Sequence, residues 1–374
     1  MIHINTPIRA TRGTSKDSNQ HGFSLIELLV AMTVMLIIVG AVFSLVKDSM
    51  KLAMVSYELT DAQQNLRIAQ EFINRDIMNA GDGLRGIGTI KVPDLFLTRY
   101  INRVSIVGGE MKIFTTDNNV PANTSITGAV PAQKILTGTD RQTVLGIDPD
   151  FNDGQPISLL PAAIGPPVRP ASIDPTGKTV TIPNPALPAT PLLMSMFKVG
   201  EIYFFSSSLG TGNGTFGTIT AIDAPARTLT FDNGDAYGLN QTGAAGNITF
   251  ISTAGTLSTS LLRMRMIQYY ISDTKLLMRR VFGVGGAGDR ISIIAEHVLD
   301  VQFNYSLITK NPATGVVTPS QTPILSTAAQ QLAVREVEVK VTVETPHALQ
   351  NGARQPMTMN ATTSVRNMQF LNNQ

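Results

Sequence analysis

From Phe23 to Val46 apolar residues follow one another almost without a break, with Glu27 the lone charge in the run. A helix rises about 1.5 Å per residue, so roughly 20 apolar residues cross the hydrocarbon core of a bilayer, and this run is long enough. Beyond Val46 the chain turns polar but keeps a helical period. Leu52, Val55, Leu59, Ala62, Leu66, Ala69, Ile73 and Ile77 recur every three or four positions and form one stripe. Lys51, Glu58, Asp61, Gln63, Gln64, Arg67, Glu71, Arg75 and Asp76 fall between them and are expected to face water. No proline interrupts residues 23–80, and Gly81 and Gly83 offer a stop. The pattern predicts one helix, apolar all round over 23–46 and amphipathic over 47–81.

From Leu84 the period shortens and Gly, Pro, Thr, Asn and Ser become frequent. Residues 118–192 are rich in proline (Pro161, Pro166, Pro167, Pro170, Pro183, Pro185, Pro188, Pro191). Proline removes a ladder donor, so loops and short strands are expected there rather than long central strands. Phe197–Phe205, Thr215–Ile222 and Thr228–Phe231 suit the strands of a small barrel or sandwich. Further on, Leu262, Met264, Met266 and Gln268 alternate with Arg263, Arg265, Ile267 and Tyr269. A turn at Ser272–Lys275 and a return over Leu276–Phe282 make a hairpin. Ile293–Tyr305 reads as one strand region. Val337, Val339, Val341 and Val343 alternate with Glu336, Glu338, Lys340, Thr342 and Glu344, a half-buried strand with a charged outer face. The expected fold class is α+β: a long N-terminal helix on a β-rich antiparallel head, with a Gly/Pro-rich region over 84–260 and a C-terminal sheet over 261–374.

Charge separates the first 22 residues from the rest. They carry Arg9, Arg12 and Lys16 against Asp17, and a basic flank keeps that end of a membrane span in the cytoplasm. Without them the basic and acidic residues of the 374-residue chain are equal in number, so no broad basic field remains and no nucleic-acid partner is predicted. The chain has no cysteine, which excludes disulfides, thiol chemistry and cysteine-ligated metals.

Gly22-Phe23-Ser24-Leu25-Ile26-Glu27 stands at the cytoplasmic edge of the apolar run. A cleavable secretory signal has a shorter apolar region closed by a small-residue site, which is missing here, and an ordinary signal anchor has no need of this hexapeptide. Gly22, Phe23 and Glu27 at this spacing resemble the signal of type IV prepilins and type II secretion pseudopilins. The resemblance implies a leader over 1–22, cut by a prepilin peptidase between Gly22 and Phe23, with N-methylation of Phe23. It also implies that Glu27 neutralises the terminal amine of a neighbouring subunit during assembly. The stretch Leu66–Gly81, with its aliphatic, Arg and Asp cluster ending in Ala-Gly, resembles the minor pilin PilW and the related pseudopilin J. The order of the C-terminal strands, closing in Thr363-Ser364-Val365-Arg366-Asn367, resembles the same branch.

Other chemistry is weakly signalled. Asp148, Asp150, Asn152 and Asp153 before Gly154 suggest a calcium loop, but the glycine falls one place late and Leu159 stands where the closing glutamate belongs; a solvated Asx turn fits better. Asp232, Asn233 and Asp235 around Gly234 read as a hairpin turn, and Gly283–Gly288 as a hairpin loop. Glu336 and Glu338 share a strand face without a sign of a cleft. His3 and His21 belong to the leader, and His297 and His347 lie far apart, His297 as a buried or edge strand residue. No nucleophile elbow, phosphate loop or dinucleotide fingerprint occurs, so no catalytic residue, cofactor or metal is expected and the chain does not read as an enzyme.

The resulting expectation is a minor pilin of a type IV pilus, placed at the tip and priming assembly. Its partners would be the prepilin peptidase, other minor and major pilins or pseudopilins, the inner-membrane assembly platform, and lipid before assembly. It would sit once across the inner membrane with a periplasmic head, then in the pilus or pseudopilus. A pseudopilin J-like tip subunit of a type II secretion system is the nearest alternative, and a membrane-anchored periplasmic binding protein or adhesin the next.

Overall fold

The computed structural model describes residues 23–84, 87–101, 109–127, 133–159, 173–174, 176–182, 194–207, 212–241, 247–252, 259–284, 288–311, 313–349 and 352–365. The expected leader, parts of the proline-rich stretch (128–132, 160–172, 175 and 183–192) and the closing Arg366-Asn367 lie outside these residues. The chain divides into two compact units, Met1–Tyr57 and Glu58–Gln374. Helix α1 runs from Leu25 to Met78.

In the first unit every residue from Phe23 to Met50 is exposed. The side chains are apolar on all sides, and this part of the helix is long and apolar enough to cross a membrane. The hydroxyl of Thr33 donates to the carbonyl of Leu29 at 2.8 Å, which satisfies it without water.

In the second unit α1 buries Ala62, Leu66, Ala69, Ile73 and Ile77, at intervals of three or four. Fully burying each leucine or isoleucine contributes about 1.5–3 kcal/mol. Two residues expected to face water do not. Asp76 is 7% exposed, and the Glu58 side chain is 15% exposed. The helix ends where expected: Gly81 and Gly83 adopt φ of 76° and 71°, in the left-handed region that costs a side chain. The N–H of Gly81 is not used to close the helix; it donates to the carbonyl of Leu145 at 2.9 Å.

The strands are, in order, β1 (Ile87–Lys91), β2 (Glu110–Met111), β3 (Phe114–Asp117), β4 (Arg141–Ile147), β5 (Ile157–Leu159), β6 (Thr179–Thr181), β7 (Ile202–Ser207), β8 (Gly212–Thr218), β9 (Ala221–Asp223), β10 (Thr228–Thr230), β11 (Thr259–Ile271), β12 (Leu277–Val281), β13 (Arg290–Ala295), β14 (Val298–Lys310), β15 (Val317–Thr322), β16 (Val334–Glu344) and β17 (Pro356–Ser364). They form a ten-stranded sheet, a three-stranded sheet β6-β10-β9 and a four-stranded sheet β15-β14-β16-β17. The pairings are antiparallel except β1 with β8, which is parallel. Strand β11 is the hub of the large sheet. Its first residues pair with β5 and β7, and its last with β4 and β12.

The strand expectations need four corrections. Thr215–Ile222, expected as one strand, is two strands in two sheets: β8 ends at Thr218 and β9 starts at Ala221. Strand β4 lies inside the proline-rich span and is a long, buried, central strand, paired on one side with β3 and on the other with β11. The prolines cluster after residue 148, and residues 132–148 contain none, so the ladder there keeps its donors. The expected strand at 197–205 begins only at Ile202, after a turn in which Gly200 has φ 88°. Ile293–Tyr305 is two strands in two sheets: β13 ends at Ala295 and β14 starts at Val298. His297 stands between them at φ 57°, so it makes a corner rather than a place in a ladder.

The two larger sheets meet across a polar seam at β4 and β14. Asp140 is fully buried there. Its Oδ1 accepts the N–H of Asn119 at 2.9 Å, and its Oδ2 the N–H of Phe303 at 2.8 Å. Next to it the hydroxyl of Tyr305 donates to Gln142 Oε1 at 2.6 Å, and Arg141 pairs with Asp117 at 2.7 Å. On the core side of the four-stranded sheet Val301, Phe303 and Tyr305 lie opposite Val341, Val339 and Val337. All six are at most 1% exposed.

Burial raises the Asp140 carboxyl to about 6, opposed by its two backbone donors and reinforced by Asp300 and Asp117. An unfolded aspartate titrates near 4, so between about pH 4 and 6 the folded state holds a proton that the unfolded chain has lost. This contribution is therefore full in acid and is lost as pH rises through about 6. In urea unfolding of the detergent-solubilised protein, the stability of the native chain relative to Asp140→Asn should be greater at about pH 4.5 than at about pH 7, by about 2 kcal/mol. A constant difference across that range would remove Asp140 as the titrating group.

Candidate functional site

At the N-terminus the sequence organises its own helix start. Ser24 immediately precedes α1, its carbonyl accepts the N–H of Leu28 at 3.1 Å, and its hydroxyl accepts the N–H of Ile26 at 3.4 Å. The carboxylate of Glu27 reaches back and accepts the N–H of Ser24 at 3.0 Å. The pair differs from a capping box in that the serine hydroxyl meets the N–H two residues on rather than three, and it places a negative charge at the positive end of the helix dipole. Phe23 lies just outside, 84% exposed. The capping role of Glu27 was legible in Ser24-x-x-Glu27 and was missed because the same residues carried the stronger processing resemblance.

At the other end of α1, Asp76 sits over a cross-strand pair, Tyr269 on β11 and Arg279 on β12. Arg279 donates through Nε to Asp76 Oδ2 at 2.7 Å and through Nη2 to Oδ1 at 3.3 Å, and the Tyr269 hydroxyl donates to Oδ2 at 2.5 Å. Burial and then the charge of Asp76 push the Tyr269 hydroxyl well above its ordinary value, so it stays a donor. Beneath the same turn Gly146 brings β4 against the helix: a Cβ there would lie 2.8 Å from the carbonyl oxygen of Asn79. Two further contacts tie α1 to the four-stranded sheet and the loop after β16. Gln70 Nε2 donates to the carbonyl of Met359 at 3.0 Å. Glu58 receives the backbone N–H of His347 at 3.1 Å and lies 2.8 Å from its ring Nδ1.

The pattern that defines the prokaryotic N-terminal methylation motif matches residues 17–43, which take in Gly22, Phe23, Glu27 and the start of α1. The chain is of the prepilin type. No curated protein and no solved structure matches it. The motif makes this a type IV pilin- or pseudopilin-like protein, and it implies processing by a prepilin peptidase and assembly with other pilins. The family that this motif defines is structural rather than enzymatic.

Elsewhere in this pilin-like chain, the residues singled out for other chemistry are placed as follows. Asp148 and Asp150 form an Asx turn, with the N–H of Asp150 donating to Asp148 Oδ1 at 3.1 Å. Their carboxylates are turned to arginines: Asp148 to Arg263 at 2.7 Å and Arg265 at 2.9 Å, and Asp150 to Arg265. Asp235 accepts the N–H groups of Leu239 and Asn240 at 3.0 Å each, in a loop that Gly234 enters at φ 89°. Glu336 is exposed and Glu338 half-buried on the outer face of β16. Among the described residues no three His, Asp or Glu side chains converge to hold a metal ion.

Replacing Asp76 by alanine would leave the Arg279 guanidinium desolvated and without its anion. Such losses cost about 3–5 kcal/mol in a dry interior, and the partial exposure of Arg279 puts this one near the lower end. Asp76→Ala should lower the urea midpoint of the solubilised protein accordingly, and Asp76→Ala with Arg279→Met should recover much of the loss. A double variant no better than the single one would show that the charge on Arg279 is not the source of the cost.

Proposed function

We propose that the protein is a minor pilin of a type IV pilus, cut between Gly22 and Phe23 and methylated on the new terminal nitrogen of Phe23. The observation that carries this reading is the methylation motif over 17–43 running without interruption into a helix with apolar side chains exposed on every side. Before assembly that surface sits in lipid, across the inner membrane with the head in the periplasm. In the filament it packs against the equivalent helices of other subunits. The large β-rich head and the Leu66–Gly81 stretch support placing the subunit in the PilW branch, at the tip, with a part in priming assembly. On this reading its further partners are other minor and major pilins and the inner-membrane assembly platform.

Glu27 has a specific part in this scheme. Its carboxylate caps its own helix through Ser24, and one oxygen remains to meet the terminal amine of an adjacent Phe23. A buried carboxylate in a filament needs such a partner to offset its desolvation.

The test is the N-terminal peptide of the protein taken from a membrane fraction of its own host. It should begin at N-methylated Phe23, and retention of residues 1–22 beside an active prepilin peptidase would sink the proposal. Glu27→Ala should be processed normally but recovered in sheared pili at about one-tenth of the native level or less, as a lost charge pair worth about 1.4 kcal/mol or more requires. Recovery of the processed chain with a secretion pseudopilus and not with pili would move it to the pseudopilin J reading.

A further inference from the structure

A cleft of about 440 Å³ opens between the last turn of α1, the hairpin β11–β12, the start of β13 and the loops after β4 and before β7. Six cations line it, Arg75, Lys198, Arg263, Arg265, Arg279 and Arg290, against three carboxylates, Asp148, Asp150 and Glu201. Asp76, behind Arg279, adds a fourth, so two positive charges remain in excess.

The charges are not distributed at random. Each carboxylate is already committed. Asp148 and Asp150 hold Arg263 and Arg265, Asp76 holds Arg279, and Glu201 takes the hydroxyl of Tyr203 at 2.7 Å, the N–H of Lys198 at 3.1 Å and Arg263 Nη1 at 3.2 Å. Arg263 is further stacked 5.0 Å from the ring centroid of Phe151. These anions fix three guanidinium groups in place while using only part of their donors, since a guanidinium carries five N–H bonds in a planar fork. Arg75, Lys198 and Arg290 have no carboxylate partner among the described residues. Three guanidinium groups held in place beside three cations without a carboxylate partner, of which Arg75 is stacked 4.7 Å from the Phe72 ring centroid, make an arrangement that recognises planar or tetrahedral oxyanions. The volume is that of a small-ligand site, and Phe282 is the one aromatic side chain in its lining, which disfavours the stacked bases of a nucleic acid strand.

We infer that this cleft binds a compact ligand bearing at least two phosphate or carboxylate groups. The inference goes beyond the filament role and does not depend on it, because every residue involved belongs to the second compact unit, Glu58–Gln374.

The experiment is calorimetric titration of the full, detergent-solubilised protein with inorganic pyrophosphate and, separately, with citrate. Tighter binding of pyrophosphate would assign the site to phosphates, and tighter binding of citrate to carboxylates; either supports the proposal. In both cases the affinity should fall at least tenfold in Lys198→Glu/Arg290→Glu, two exposed positions that make no ion pair in the fold, while the urea midpoint stays unchanged. It should also weaken as salt rises, as contact between exposed charges requires. No saturable binding of either anion at millimolar concentration, or binding undiminished in the double variant, would overturn the assignment. So would capture of an acidic peptide with neither small anion bound, which would make the cleft a protein interface.

Discussion

Every described residue of α1 up to Met50 is exposed, and the contacts that hold this helix to the sheets come from its second half. Five aliphatic residues of one stripe, Ala62 to Ile77, supply most of that hold. Apolar contact alone fixes distance but tolerates sliding and rotation. The polar contacts remove that freedom. Asp76 meets both members of a cross-strand pair, Gln70 meets a backbone carbonyl of β17, and Gly81 enters the ladder of β4. Gly146 lets the strand approach close enough for this to happen. In an assembly where force is transmitted along such a helix, the Asp76 cluster marks where load would pass from helix to sheet.

Much of this was legible in the chain, and the exceptions share a cause. The helix, its stop at Gly81 and Gly83, the β11–β12 hairpin and the alternating valines of β16 each follow from one period that a local window can read. Asp76 was assigned to water because it is charged, although it lies three residues after Ile73 and seven after Ala69, on the stripe itself. Glu58, four residues before Ala62, is the same case. Position, rather than polarity, was the better guide, because a partner 203 residues away in sequence can neutralise a carboxylate. His297 was misread for a related reason: a β-rich run of residues does not show that two sheets divide it. Strand β4 was hidden by averaging composition over a span in which residues 132–148 carry no proline and most of the prolines follow them.

The geometry at Glu27 fits the two environments that the proposed role requires of it. Within its own chain Glu27 caps the helix, a local bond that persists whether the surroundings are lipid or protein. A carboxylate in an apolar medium is costly, by a few kcal/mol near the centre of a bilayer and less toward its edge. Placed in the first turn, Glu27 lies at that edge and at the favourable end of the dipole, so the membrane-bound form bears little of this cost. The cost grows when the helix is moved among other helices and away from water. That is the step at which a second cation becomes worth most, and the proposed amine of a neighbouring Phe23 would be at hand.

On the proposed filament role the helix also has to leave the membrane. Apolar side chains gain little from exchanging lipid for similar side chains, since neither medium is water, and close packing has to supply the difference. The exposed half of α1 is rich in Leu, Ile, Val and Met, with Gly40 and Ala41 both exposed within it. Flexible methionines adapt to uneven neighbours, and a small residue lets a second helix come close. Packing of this kind is permissive about its partner, so specificity has to reside elsewhere. On the proposed role, Glu27, satisfied locally by Ser24 and satisfied better by one amine in one register, would add that specificity without preventing the helix from resting in lipid first.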